Sequence, residues 1–266
     1  MFNWISNQQL VERVLKTAVL LLLGIFLYTR VTSGVISFYI NERFFTLTLA
    51  AGLGFILLGA SYFRESWGRS SDEQTYAYDH YRDRSPDNYG HDHNLTWVGL
   101  LIVMLPLILG WLVPPEPLGA AAVGNREINI AGTGLKSIAP PSGNEAVGIV
   151  TGERNILDWL GEFQRYSDPA ALDGQEASVI GFVYRDDRFG ETRFMVSRFT
   201  VSCCVADAAP IGLIVEWPEA MEFPDNQWVK VTGHFEASSF NGEQIPVLRA
   251  DKVEQTEQPK QPYLHL

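Results

Sequence analysis

The chain has 266 residues, 20 Lys+Arg against 31 Asp+Glu, and 46% hydrophobic residues. That length accommodates one or two domains. Residues 1–113 carry 8 basic and 9 acidic side chains while residues 114–266 carry 12 and 22, and a half this acidic repels phosphate backbones, excluding nucleic acid as a partner.

Residues 17–29 form an uncharged apolar run between Lys16 and Arg30. Thirteen residues are short for a span of about 20, and a snorkelling Arg30 lets flanking residues extend it. Arg13 and Lys16 also fit the charged region of a secretory signal. No small-x-small cleavage site follows and further apolar segments come later, so a retained helix is expected. Residues 44–63 are uncharged over 20 positions, a strong transmembrane signal, and include Ala50, Ala51, Gly52, Gly54, Gly59 and Ala60, small residues that let helices pack closely in lipid. Residues 95–115 give a third uncharged run, with Pro106 inside, Trp97 and Trp111 near the ends as interfacial anchors, and Pro114, Pro115 and Pro117 as a stop. Residues 1–115 thus read as an anchor of about three helices in the lipid bilayer.

Arg13, Lys16, Arg64, Arg69, Arg82 and Arg84 lie on one side of this arrangement and Arg30 and Arg43 on the other. The positive-inside bias places the N-terminus in the cytoplasm and the C-terminal domain outside, in a multi-pass protein of the cell membrane.

The polar loop 64–94 contains His80, His91, His93 and Asp92, with Asp79, Asp83 and Asp87. Imidazoles and carboxylates are ligands for zinc and similar ions, and His91-Asp92-His93 is short enough for two imidazoles to share one. A hydrophilic linker is the competing reading.

Residues 116–150 are rich in Gly, Ala, Ser, Pro and Asn and read as a linker, with one short strand near Arg126–Ile130. A soluble domain follows over 151–256, with a tail at 257–266. Residues 155–166 set Ile156, Leu157, Trp159, Leu160 and Phe163 at helical spacing. Strands are predicted at 176–184, 193–205, 212–217, 227–236 and 244–253, with turns at Asp186-Asp187, Gly190, Pro210, Pro224-Asp225 and Asn241-Gly242. About five strands without alternating helices predict a small OB-like barrel preceded by one amphipathic helix.

Two cysteines are too few for a disulfide scaffold, and Cys203-Cys204 matches neither a zinc ribbon nor a thioredoxin-type Cys-x-x-Cys. Neighbours in a strand point to opposite faces, so joint chelation requires a bulge or turn. Three readings stay open: a structural pair; a soft-metal or zinc site of Cys203, Cys204 and Asp207 with His234; and a redox pair forming a strained vicinal disulfide. Arg198, if it reaches a thiol, lowers its pKa. The chain has no Ser-His-Asp set, P-loop or HExxH motif, and the expectation is a non-enzymatic protein.

Taken together, the arginine-led strand running into Cys203-Cys204-Val205-Ala206-Asp207, the later Trp228-Val229-x-Val231-x-Gly233 and the terminal Pro262-Tyr263-Leu264 resemble an uncharacterised bacterial membrane-protein family of two-component permease subunits. The resemblance covers essentially the whole chain. It implies a polytopic permease as membrane partner and a link to metal transport, with no catalytic residue set. It makes Arg198, Cys203, Cys204, Asp207, Trp228 and Gly233 signature positions. The function so implied is a permease subunit that binds or gates a divalent metal such as zinc, or a related solute. The alternative is a membrane-anchored thiol redox protein or assembly chaperone using the vicinal cysteines.

Overall fold

The computed structural model describes residues 2–68, 97–124, 129–130, 154–166 and 168–265. The chain forms two compact units, one of Met1–Ile36 with Arg43–Pro115, the other of Ser37–Glu42 with Glu116–Leu266.

The first unit holds helices α1 (Phe2–Thr32), α2 (Phe45–Gly68) and α3 (Trp97–Leu112). Two stretches are long and apolar enough to cross a membrane, Val14–Thr32 and Glu42–Tyr62. The expected third span appears as α3, whose 16 described residues reach about 24 Å at 1.5 Å per residue, short of a hydrocarbon core of about 30 Å. Helices α1 and α2 meet through glycines. A Cβ on Gly24 would lie 2.8 Å from the Gly52 carbonyl oxygen and 2.6 Å from Ile56, so the crossing depends on the missing side chain. Arg30, expected to snorkel, has its partners within this unit. Its guanidinium donates to the Gly110 carbonyl, one of the last four of α3, and lies 5.1 Å from the Phe26 ring centroid. A cation there complements the negative helix end.

The second unit is a β-barrel. The strands are β1 (Asn129–Ile130), β2 (Glu176–Tyr184), β3 (Arg193–Val201), β4 (Ala209–Glu216), β5 (Trp228–Phe240), β6 (Glu243–Gln255) and β7 (Tyr263–His265). Strands β2 to β6 close on themselves in the order β4-β6-β5-β2-β3 and back to β4, with β4–β6 the one parallel pair among the five. This closed five-stranded barrel has the connectivity of an OB-like fold. Closure leaves these five strands without a free edge. Strand β1 adds in parallel to β4, and β7 in parallel to β3.

Strand periodicity follows burial. Strand β5 alternates buried and exposed positions over its first half, as a strand with one wet face does. Strand β3 is buried at every position after Arg193, hence its near-continuous apolar run. Its Phe194 and Val196 enter the core capped by helix α5 (Ile156–Phe163), whose Trp159 and Leu160 are fully buried. Its Met195, Phe199 and Val201 enter a second core with Phe182, Tyr263 and the short helix α4 (Ala120–Val123). Helix α5 begins at a capping box, in which Asn155 accepts from Leu157 and Asp158 while Asp158 accepts from the Asn155 amide.

Four elements differ from the sequence reading. The expected linker contains α4, packed in the second core. Strand β4 begins at Ala209, so Pro210, expected in a turn, pairs with Phe199. The expected tail contains β7, paired with Phe199, Thr200 and Val201. Strand β3 ends at Val201, before the cysteines, not at 205.

Candidate functional site

The backbone bends at Ser202 and Cys203, and a single 3₁₀ turn at Val205–Asp207 returns the chain into β4. Asp207 enforces the bend. Its carboxylate accepts from the Ser202 amide at 3.1 Å and from the Cys203 amide at 2.7 Å. Charge-assisted bonds of this kind are about twice as strong as neutral ones.

The strand rule that would set the two thiols on opposite faces therefore does not apply. Cys203 Sγ lies 3.7 Å from Cys204 Sγ, and one ligand atom each from Cys203, Cys204 and Asp207 fall within 4.8 Å of one another. Cys203 is exposed and Cys204 half-buried, both as free thiols.

The electrostatics fix where the proton sits. The Cys203 thiol is pushed up to about 11, first by its hydrogen bond to Asp207 and next by that to Cys204. Desolvation pulls Asp207 upward, but the hydrogen bonds from the Cys203 thiol and from the Cys203, Ser202 and Cys204 amides hold it below the usual carboxylate range. At neutral pH the group is a protonated Cys203 thiol beside an ionised Asp207 carboxylate.

The other predicted residues lie elsewhere. His234 is not in this group; it sits on β5 in register with Glu176 and Arg249, its Nδ1 3.6 Å from Asp251. His80, His91, Asp92 and His93 fall outside the described residues. Arg198 does not serve the thiols through any hydrogen bond. Buried in β3, it donates to the Gln261 carbonyl at 2.6 Å and the Pro262 carbonyl at 2.9 Å, with the Trp228 ring centroid 5.5 Å away. Burial lowers it to about 10, which leaves it a cation at neutral pH. Gly233 sits at the β5–β6 bulge, where a Cβ would lie 2.0 Å from the Arg249 carbonyl oxygen. Arg198 thus stacks on Trp228 and holds the chain at Gln261 and Pro262, and Gly233 admits the close approach of β5 and β6.

Sequence reasoning missed the segment Ser37–Glu42. Ile40 forms an antiparallel bridge with Cys204, the Asn41 amide donates to the Cys203 carbonyl at 3.0 Å, and the Val205 amide donates to Tyr39 at 2.8 Å. Asn41 Nδ2 reaches the Ser202 carbonyl at 3.0 Å and that of Val201 at 3.3 Å. Nothing local in the sequence signals a pairing between residues 160 positions apart.

Residues 15–129 match the DUF1980 N-terminal domain and residues 139–266 the DUF1980 C-terminal domain. Among named relatives, the chain is 24% identical over 102 residues to UPF0703 protein YcgQ of Bacillus subtilis (strain 168), covering 38% of this chain and 36% of that protein. It is 30% identical over 103 residues to a Streptococcus mutans serotype c (strain ATCC 700610 / UA159) protein named "Putative two-component membrane permease complex subunit", covering 38% and 37%. The matched stretch therefore spans little more than a third of either relative.

Proposed function

The chain belongs to the DUF1980 family, and from that premise we propose that it is a non-enzymatic membrane subunit of a two-component permease, whose barrel holds a thiophilic divalent ion such as zinc at Cys203, Cys204 and Asp207. The permease role rests on the Streptococcus relative's name, and the partner it implies is a polytopic membrane protein.

The observation that carries the ion site is the spacing of the thiols. Two thiolates 3.7 Å apart, each about 2.3 Å from a zinc ion, subtend an angle of about 107°, close to tetrahedral. Asp207 supplies an oxygen from the same side. Three protein ligands leave one tetrahedral position open to water or a further ligand. The ion takes the place of the proton between Cys203 and Asp207.

The second reading is a thiol redox protein using the same pair. A redox thiol works as a thiolate with a depressed pKa, whereas Cys203 is pushed up to about 11.

Chain connectivity supports an extracytoplasmic barrel. Ser37–Glu42 lies between α1 and α2 in sequence yet belongs to the unit that holds the barrel. With the α1–α2 loop and the barrel on one side, the chain between them crosses the membrane an even number of times. Helix α2 and the third span expected from the uncharged run 95–115 would supply two crossings, and the basic residues of the N-terminus would keep that end inside.

The test is zinc binding by the full-length chain in detergent. One ion per chain is expected, lost in the Cys203→Ser/Cys204→Ser double variant. Unchanged binding in that variant would remove the cysteines from the mechanism.

A further inference from the structure

Ser37–Glu42 is built into the cysteine loop more firmly than a passing connection requires. Asn41 is 1% exposed. Its side-chain amide and its backbone amide take the carbonyls of Val201, Ser202 and Cys203, the three consecutive residues that lead into the thiol pair. On the far side of the same backbone, Asp207 takes the amides of Ser202 and Cys203. The segment is also tied at its end, since Gln261 Nε2 donates to Glu42, and Gln261 is itself held through its carbonyl by Arg198.

We propose that Asn41 is a positioning residue of the ion site, and that closure of the Ser37–Glu42 strap on the cysteine loop and binding of a thiophilic divalent ion at Cys203 and Cys204 reinforce each other. This rests on the ion-binding reading above. The physical reason is that the strap and the ion select the same loop conformation. Chelation requires Sγ atoms near the 3.7 Å spacing, and that spacing depends on the bend at Ser202 and Cys203. Asn41 and Asp207 fix that bend from opposite sides. A loop released by the strap samples strand-like backbone, in which adjacent side chains diverge. An ion that binds only the bent loop must favour the strapped state, and the strap must favour the ion by the same factor.

The experiment uses the full chain in detergent, with zinc alone and cobalt(II) alone as probes. Amide exchange of the wild type is followed over residues 37–42 and at Val205, with and without zinc. Zinc is expected to slow exchange of the Asn41 and Val205 amides, and to have no such effect in the Cys203→Ser/Cys204→Ser variant. Asn41→Asp, which replaces the donor by a carboxylate facing two carbonyls, is expected to weaken zinc binding by about tenfold and to alter the thiolate-to-cobalt charge-transfer band. A wild type that binds zinc with unchanged strap exchange, together with an Asn41→Asp variant of unchanged affinity and spectrum, overturns the coupling and leaves the ion site standing. A wild type that binds no zinc overturns the ion site, and this proposal with it.

Discussion

Asn41 and Asp207 hold the two ends of one peptide unit, the one joining Ser202 to Cys203. The Asn41 side chain donates to its carbonyl at 3.0 Å and the Asp207 carboxylate accepts from its amide at 2.7 Å. Residues 166 positions apart thereby fix the plane from which the Cys203 side chain departs. The same carboxylate holds the Cys203 proton, so conformation and protonation at this site share one cause.

Asp207→Asn removes the charge together with one of the two amide acceptors. The side chain keeps its shape and one acceptor oxygen but loses its charge. The Cys203 thiol is expected to titrate lower, toward the ordinary thiol value of about 8.5, because the first cause of its rise is removed. The measurement is the pH profile of alkylation in a Cys204→Ser background, with and without Asp207→Asn. A profile that does not move would show that the carboxylate is not what retains the proton.

Ion binding at this site is expected to strengthen as pH rises. The thiolate is the ligand, and Cys203 keeps its proton until about 11, so binding at neutral pH releases that proton. Each released proton changes the apparent affinity by about tenfold per pH unit. Asp207, held below the usual carboxylate range, stays ionised through this window and contributes no slope. Competition titrations against a chelator of known proton affinity, at pH 6.5 and 7.5, test this. A flat profile would mean that Cys203 is not a ligand.

The barrel was legible because its strands carry their burial in their residue types. The segments 176–184 and 228–236 show apolar spacing that only a buried strand needs, and the observed strands begin within a residue of those expected. The cysteine trio was legible as chemistry but not as geometry. Whether Cys203 and Cys204 converge is decided by Asp207 folding back on two amides, which strand periodicity does not encode. Two elements left no local trace. Strand β7 is three residues long and acquires meaning only by pairing with β3 beside the carbonyls that Arg198 holds. The strap lies between two apolar helices, and its partners enter the chain some 160 residues later.

Arg198 is expected to act on the C-terminal strand and not on the thiols. Its guanidinium is the donor to two adjacent carbonyls, those of Gln261 and Pro262. Arg198→Met keeps apolar bulk against Trp228 but leaves both carbonyls without that donor, at a cost of ~3 kcal/mol. Faster amide exchange at Tyr263–His265, with the alkylation profile of Cys203 unchanged, is the expected signature. Lys does not restore the wild type, because a single ammonium lacks the planar fork that meets two acceptors. A variant whose only change lies at the thiols would overturn this assignment.

Gly233 is expected to be intolerant of the smallest side chain. It lies at the bulge where the β5–β6 register shifts between Thr232 and Gly233. A Cβ there would meet the Arg249 carbonyl oxygen at 2.0 Å and the Ala250 Cα at 2.9 Å. Both obstacles are backbone, so no rotamer change relieves them and the ladder itself must move. The cost of such overpacking is ~1–3 kcal/mol. The bulge pairs β5 with β6, and β6 in turn makes the parallel pair with β4 that closes the barrel, so the strain falls on closure. Denaturant unfolding followed by tryptophan fluorescence is expected to show a lower midpoint for Gly233→Ala. Ala237→Gly, on the same strand pair beyond the bulge, serves as the comparison for β-propensity alone. Equal midpoints for wild type and Gly233→Ala would mean that the β5–β6 spacing at the bulge is loose enough to admit a methyl group, and that the glycine is not what sets it.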